Sequence, residues 1–203
     1  TDIKDMIVIA GYGWMKEGDK VVLNPGYKFK AEKGTEVTAV KSGRVVYAGN
    51  DKKTGNTVII RSTGNSEQIA YTGLGSINGL KVGADVNVGD VIGKAGADGI
   101  IGFYGIDSRT DASKGMPQFP TELDNHSAYF DIGINLGLSS EGRNKILKEV
   151  NGYDPEKNSI KKPKAENMTP KEGKLGDYLG SDASESGAVD GARDIDPVYG
   201  GDN

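Results

Sequence analysis

Two tandem turns constrain this chain more than any other feature: Val82-Gly83-Ala84-Asp85-Val86, followed at once by Val88-Gly89-Asp90-Val91-Ile92-Gly93. Each unit places apolar residues to one side of a tight glycine turn, so two in succession require a strand that returns on itself. The same grammar runs upstream. Glu36–Val40 alternates in period two, Gly43–Ala48 follows a turn at Lys41-Ser42, and Thr57–Arg61 is β-branched. The polar stretches Gly49–Asn56 and Thr63-Gly64-Asn65 supply turns, and Gln68–Thr72 and Phe130–Ile134 read as further strands. β-Branched and aromatic residues suit a pleated surface, while Gly, Asn and Asp suit the bends between strands. With 31 glycines in 203 residues and 35% hydrophobic content, the chain is expected to be mainly β, with part of its length outside the core.

The flanks read differently. Between Gly96 and Asn125 lies a long segment with Phe103, Tyr104 and Phe119, expected to be a functional loop or a cover. Ser139-Ser140 caps an expected helix over 141–150, stopped by Asn151-Gly152. Lys161–Lys164 is basic, and Ser181–Asn203 is acidic and poor in large apolar residues. Residues 161–203 are therefore read as an extended or disordered interaction tail that meets other subunits of an assembly, with Val198-Tyr199 as its anchor. Residues 1–10 are read as a separate N-terminal segment, and 11–160 as the domain.

Several classes are excluded. A net charge of −4 gives no electrostatic case for nucleic acid. No apolar run approaches the ~20 residues needed to span a bilayer as a helix. With no Cys and one histidine, His126, the chain lacks the usual soft and borderline zinc donors.

The order of the motifs resembles one family. Gly11-Tyr12-Gly13-Trp14 and Asn24-Pro25-Gly26-Tyr27-Lys28 look like the opening turn and the His-Pro-Gly-x-Asp motif of LytM-like, M23-type peptidases. Residues 33–49 and 55–60 are similar to the family's next strands. Ile69–Leu74 stands where a Tyr-x-His-Leu segment is expected, and Lys81–Gly93 resembles its paired Val-Gly turns. Ser127–Ile132 falls on a His-x-His-Phe-Glu-Ile strand, and Tyr153-Asp154-Pro155 on the closing segment. The resemblance implies a LytM/M23-type, hammerhead-like β-sandwich of short antiparallel strands with one short helix and an extended C-terminal tail.

It also implies a zinc-dependent peptidoglycan endopeptidase, and here the sequence departs from the pattern. The positions of the metal ligands and their helpers carry Asn24, Lys28, Gly73, Ser127 and Tyr129. An amide is a poor zinc ligand and an ammonium repels the ion. No metal, no cofactor and no catalytic residue is therefore expected. Lys28 is a candidate to replace the ion's charge by bridging Asp131 or a backbone carbonyl. Tyr12, Tyr27, Tyr71 and Tyr129 are candidates to line a ligand groove, while Trp14 reads as core. The expected function is an inactive, peptidase-like structural or binding subunit of a phage particle or bacterial envelope assembly, with peptidoglycan as a candidate partner. The expected location is a virion or the cell envelope.

Alternatives are an active wall hydrolase without zinc, or a regulator of one. Ser127, His126 and Asp131 invite a triad, but on a strand His126 points away from the other two. A lipoyl-like carrier lacks the proper setting at Lys41 and Lys94. Asp107 and Asp111 invite calcium but lack a twelve-residue ligand loop with its closing Glu.

Overall fold

The computed structural model describes residues 3–122, 127–158 and 161–180. The first strands are β1 (Ile7–Ala10), β2 (Gly13–Glu17), β3 (Lys20–Asn24) and β4 (Gly26–Lys30). Then come β5 (Glu36–Thr38), β6 (Gly43–Asp51), β7 (Gly55–Ser62), β8 (Gln68–Ser76) and β9 (Asp85–Val86). β10 (Val91–Ala95), β11 (Ile100–Ile106), β12 (Tyr129–Phe130) and β13 (Gly173–Lys174) complete the set among the described residues. All but the β2–β3 hairpin join one antiparallel sheet, in the order β13-β1-β4-β11-β8-β7-β6-β9. β12 pairs with β11, and β10 with β5 and β8. The mainly-β, antiparallel expectation holds.

The tandem turns do what their sequence requires. Gly83 N donates to Val45 O at 2.8 Å while Val45 N donates to Ala84 O at 2.9 Å. Gly89 N donates to Ala39 O at 2.8 Å while Ala39 N donates to Asp90 O at 2.9 Å. Each turn thus locks reciprocally onto the strands upstream, with Gly83 and Gly89 in left-handed conformations closed to most other residues. Val86 and Ile92 are buried behind them, whereas Val82 and Val88 stay exposed at the turn tips.

The region 96–125 is not one loop. Ile100–Ile106 is the central strand β11, flanked by β4 and β8 and buried almost throughout. Its apolar run marks a strand covered on both faces, a pattern without alternation. Phe103 packs on Phe29 with ring centroids 5.4 Å apart and meets Tyr71 edge-on at 5.1 Å. Gly105 is needed because a Cβ there would stand 2.0 Å from Ile132 Cγ2.

The helical prediction holds in outline. Ser139 caps α1 (Ser140–Ile146) by accepting from Gly142 N, and a π-helical turn continues over Leu147–Asn151 until Gly152 ends it. A second, one-turn helix, α2, spans Pro155–Asn158. Asn151 ties this element to the sheet, accepting from Gly11 N at 2.7 Å and donating to Gly11 O and Trp14 O.

Both proposed boundaries shift. Residues 1–10 are not an appendage throughout, since β1 pairs with β4 and β13. Residues 163–180 are not a tail: Met168, Leu175 and Tyr178 are buried, and Leu175 N donates to Met6 O at 2.9 Å. Their apolar residues are too sparse to signal a strand, yet three suffice to dock the segment beside β1. Residues 181–203, with Val198-Tyr199, lie outside the described residues.

Truncating fully buried Leu175 to Ala is expected to cost about 3 kcal/mol of unfolding free energy in urea. A loss below ~0.5 kcal/mol, typical of a surface site, would show that 163–180 does not dock in solution.

Candidate functional site

The site is built on the sheet face turned away from the Phe29–Phe103–Tyr71 core. In the registers of β4, β11 and β8, Phe103 stands opposite Tyr27 and Tyr71 on the core side. On the other side Gly102 stands opposite Lys28 and Thr72, and Tyr104 opposite Gly26 and Ala70. β12 adds Tyr129 beside Ile106 on that same side. Alternation therefore places Lys28 and Tyr129, two of the expected zinc positions, on one face. Asn24 sits at its edge, two residues before Gly26.

None of the three is arranged as a metal ligand. Asn24 is 2% exposed, and its Nδ2 donates to Gly11 O at 3.0 Å and Gly26 O at 2.8 Å. Its Oδ1 is buried with no hydrogen-bond partner. Tyr129 donates its hydroxyl to Pro117 O, and burial pushes its ionisation far above the usual phenol range. Lys28 offers an ammonium. No group of three or more His, Cys, Asp or Glu converges among the described residues. An amide turned toward carbonyls, a phenol held neutral and a cation do not fit zinc.

The other two positions fit no better. Gly73 has φ +74°, and a Cβ there would stand 2.2 Å from Ile100 O, so the backbone excludes a side chain as it stands. Ser127 Oγ accepts from Tyr129 N at 3.0 Å in a local turn. The triad fails with it, because Asp131 is engaged elsewhere; His126 lies outside the described residues. Asp131 also corrects the expected Lys28 bridge. Its Oδ1 accepts from Tyr27 OH and Gly133 N, both at 2.8 Å, and its Oδ2 pairs with Arg143 at 3.6 Å. Burial raises the Asp131 carboxyl above its ordinary range, against the opposing pull of Gly133 N, Tyr27 and Arg143.

The groove tyrosines need correction too. Tyr27, Tyr71 and Tyr129 are at most 4% exposed, so their rings offer no open face to a ligand. Tyr71 sits in the core and accepts from Val40 N at 3.0 Å. Tyr12 is half-buried against the same core. Trp14 is buried, as expected, with Val21, Tyr153 and Met168.

What fills the face instead is the chain itself. Tyr104 lies on the glycine floor: a Cβ at Gly26 or Gly102 would stand 2.5 or 2.8 Å from its ring. Phe119 stacks on Tyr104 at 5.6 Å, and Tyr129 meets both edge-on. Residues 107–121 run over this face as a strap, burying Ala112 and Met116 against Ile59, Ala70 and Ile106. Side chains of the sheet hold the strap by its backbone. Gln68 Nε2 donates to Asp107 O and Thr110 O, and Arg61 Nη1 to Ser108 O. Asp51 accepts from Met116 N at 2.8 Å as well as from Lys53 N and Thr54 N. Gly115, at φ +113°, is required there because a Cβ would stand 2.4 Å from Asp51 Oδ2. Asp107 and Asp111, read as calcium candidates, instead hold turns within the strap through Arg109 and Ser113. No local pattern signals the Asp51 contact, which spans 65 positions.

One part of the site stays open. A cavity of about 530 Å³ lies between the β2–β3 hairpin and Phe119–Thr121, lined also by Asn24, Lys28, Lys53 and Lys162. Lys162 Nζ stands 5.9 Å from the centre of the Trp14 ring.

With this geometry in hand, the comparisons are informative. Residues 22–104 match the family model of Peptidase family M23, a span that contains Asn24, Lys28 and Gly73. The resemblance read from the sequence holds over this segment, and the domain around it is mainly β and antiparallel. The catalytic domain of the antimicrobial peptidase lysostaphin from Staphylococcus simulans is 26% identical, with a TM-score of 0.48, over 61% of this chain and 86% of that one. Against a longer lysostaphin chain the identity is 24%, the TM-score 0.49, and the match covers 64% of this chain but 48% of that one. The chain therefore spans about half of that protein. The SpoIIQ–SpoIIIAH pore forming complex gives 21% identity and a TM-score of 0.45 over 53% of this chain and 80% of that one.

Asp51→Asn is expected to weaken the strap by about 2 kcal/mol, the scale of lost charge-assisted hydrogen bonds. Hydrogen exchange should then quicken at 112–117 and stay slow in β8; equal protection in both forms would show that Asp51 does not hold the strap.

The carboxylates at the two ends of this face are expected to titrate in opposite senses. Hydrogen bonds from Arg109 hold Asp107 at about 2, so its contribution to stability is present above the ordinary carboxylate range and lost as pH falls through that value. Asp131 is raised, so the folded state takes up its proton first and that contribution grows as pH falls. Carbon-13 carboxyl titration should separate the two, and coincident midpoints would refute the assignment.

Proposed function

We propose that this chain is a non-hydrolytic M23-type domain, kept as a structural or binding subunit of a bacterial envelope assembly or phage particle. The observation that carries the reading is the set of side chains at the zinc positions. Asn24 is locked by two carbonyls, Lys28 is cationic, and Tyr129 donates to the strap. The strap supports it, because residues 107–121 and three stacked aromatics cover part of the sheet face that carries Lys28 and Tyr129. A site for peptide hydrolysis needs metal donors, an open coordination position and a polarised water, and the side chains at Asn24, Lys28 and Tyr129 do not supply the donors. Strands β13 and β9 at the two ends of the sheet order, together with residues 181–203, are the regions this reading assigns to neighbouring subunits. Peptidoglycan is the wall component it leaves as a candidate ligand.

Zinc titration calorimetry on the full chain, run beside incubation with isolated peptidoglycan sacculi, tests the proposal. The expected result is no saturable zinc uptake and no release of soluble fragments, with the protein either retained on the sacculi or recovered free. Stoichiometric zinc uptake with zinc-dependent release of fragments would overturn it.

A further inference from the structure

We infer that the open cavity beside the β2–β3 hairpin is a binding site for an extended acidic peptide supplied by a partner. The inference rests on the reading that no metal occupies this place, and it assigns the place a different ligand. Three features of the cavity converge on that class.

First, its charge is one-sided. Among the described residues, Lys28, Lys53 and Lys162 line it, against the carboxylate of Glu17. This is a local inversion in a chain of net charge −4. Asp131, the acidic residue expected to bridge Lys28, is taken by Tyr27 and Arg143. Second, the wall contains a buried acceptor with nothing to accept. Asn24 spends both amide hydrogens on Gly11 O and Gly26 O, and its Oδ1 is left without a partner. A buried polar atom in this state carries an unrecovered desolvation cost, which a ligand N–H can relieve. Third, the remaining wall is apolar, with Val21, Leu23 and Phe119 among its residues. A volume of about 530 Å³ is in the range of sites that hold small molecules or a few residues of peptide.

Cations at the rim, one acceptor inside and an apolar wall match the parts of an acidic peptide: carboxylates, a main-chain N–H and a Cβ-bearing face. A bare inorganic anion would use the lysines but would leave both Asn24 and the apolar wall unused. A neutral peptide would leave the positive charge of Lys28, Lys53 and Lys162 unbalanced.

The chain's single tryptophan, Trp14, lines this cavity and reports on it directly. The full chain is titrated with acetyl-triglutamate and, separately, with acetyl-triglutamine, following Trp14 fluorescence. The expected result is a saturable change with the glutamate peptide alone, weakened at higher salt and weakened about tenfold in Lys28→Gln/Lys162→Gln, a factor worth ~1.4 kcal/mol. Both lysines are at the surface of the cavity, and thermal unfolding of the variant should match the parent. If it does not, Lys162→Gln alone serves, with a smaller loss in the same direction. Equal responses to the two peptides, or none to either, would overturn the inference while leaving the zinc result untouched. A fourth arm replaces Asp190, Asp194 and Asp196 by Asn. Unchanged affinity supports an outside peptide, whereas tighter binding would overturn that source and reassign the cavity to the chain's own acidic segment.

Discussion

Strand β11 is the constraint on which the rest of the structure depends. It is covered on both faces, and the two coverings have different chemistry. On the core side Phe103 engages Phe29 and Tyr71, closing the interior that β4, β7 and β8 share. On the other side Tyr104 lies flat on Gly26 and Gly102, and Phe119 and Tyr129 stack on it. A strand with a dry aromatic layer on each face cannot also present a wet, polar metal centre. The aromatic cluster on this face and the non-ligand side chain of Tyr129 are therefore parts of one arrangement. A ligand side chain in place of Tyr129 would put its polar group against Tyr104, Phe119 and the strap.

The strap shows how such a face is sealed. Its only large buried apolar side chain is Met116, so apolar burial alone holds it weakly. The sheet compensates by gripping main-chain atoms with Arg61, Gln68 and Asp51. Such contacts read backbone geometry and not side-chain identity, which is how a sheet face would also grip an extended peptide. The domain has thus turned a peptide-shaped surface inward, onto its own residues 107–121.

How far the sequence spoke follows from the range of each interaction. The strands over 36–72 and the Val-Gly turns were legible because period-two alternation and glycine turns are local signals. The helix over 140–151 was legible from its Ser139 cap and Gly152 stop. β11 was not, because a strand buried on both faces loses its alternation and Gly102 and Gly105 read as breakers; only their tight fit against Tyr104 and Ile132 explains them. The four strands from Ile7 to Lys30 were passed over for a related reason, since their pairing partners lie far along the chain. At the site, the chemistry of Asn24, Lys28, Gly73 and Tyr129 was legible residue by residue, whereas their partners were not. Nothing local says that Asp131 goes to Arg143 and not to Lys28, or that Asp51 reaches Met116.

The state of Asn24 follows from the same economy. Two main-chain carbonyls, of Gly11 and Gly26, converge on one buried point and need two donors. A primary amide of that length supplies both while remaining neutral: aspartate would repel the carbonyls, and leucine would remove this donor from Gly26 O and leave Gly11 O to Asn151. The amide brings its own oxygen with it, and that oxygen has no partner inside the fold. The free domain therefore carries an acceptor whose desolvation is uncompensated, on the order of 1–3 kcal/mol. A ligand that presents an N–H at this point recovers that cost, and the lysines at the rim decide which ligands arrive. Stability of the turn and receptivity of the cavity are thus set by the two ends of one side chain.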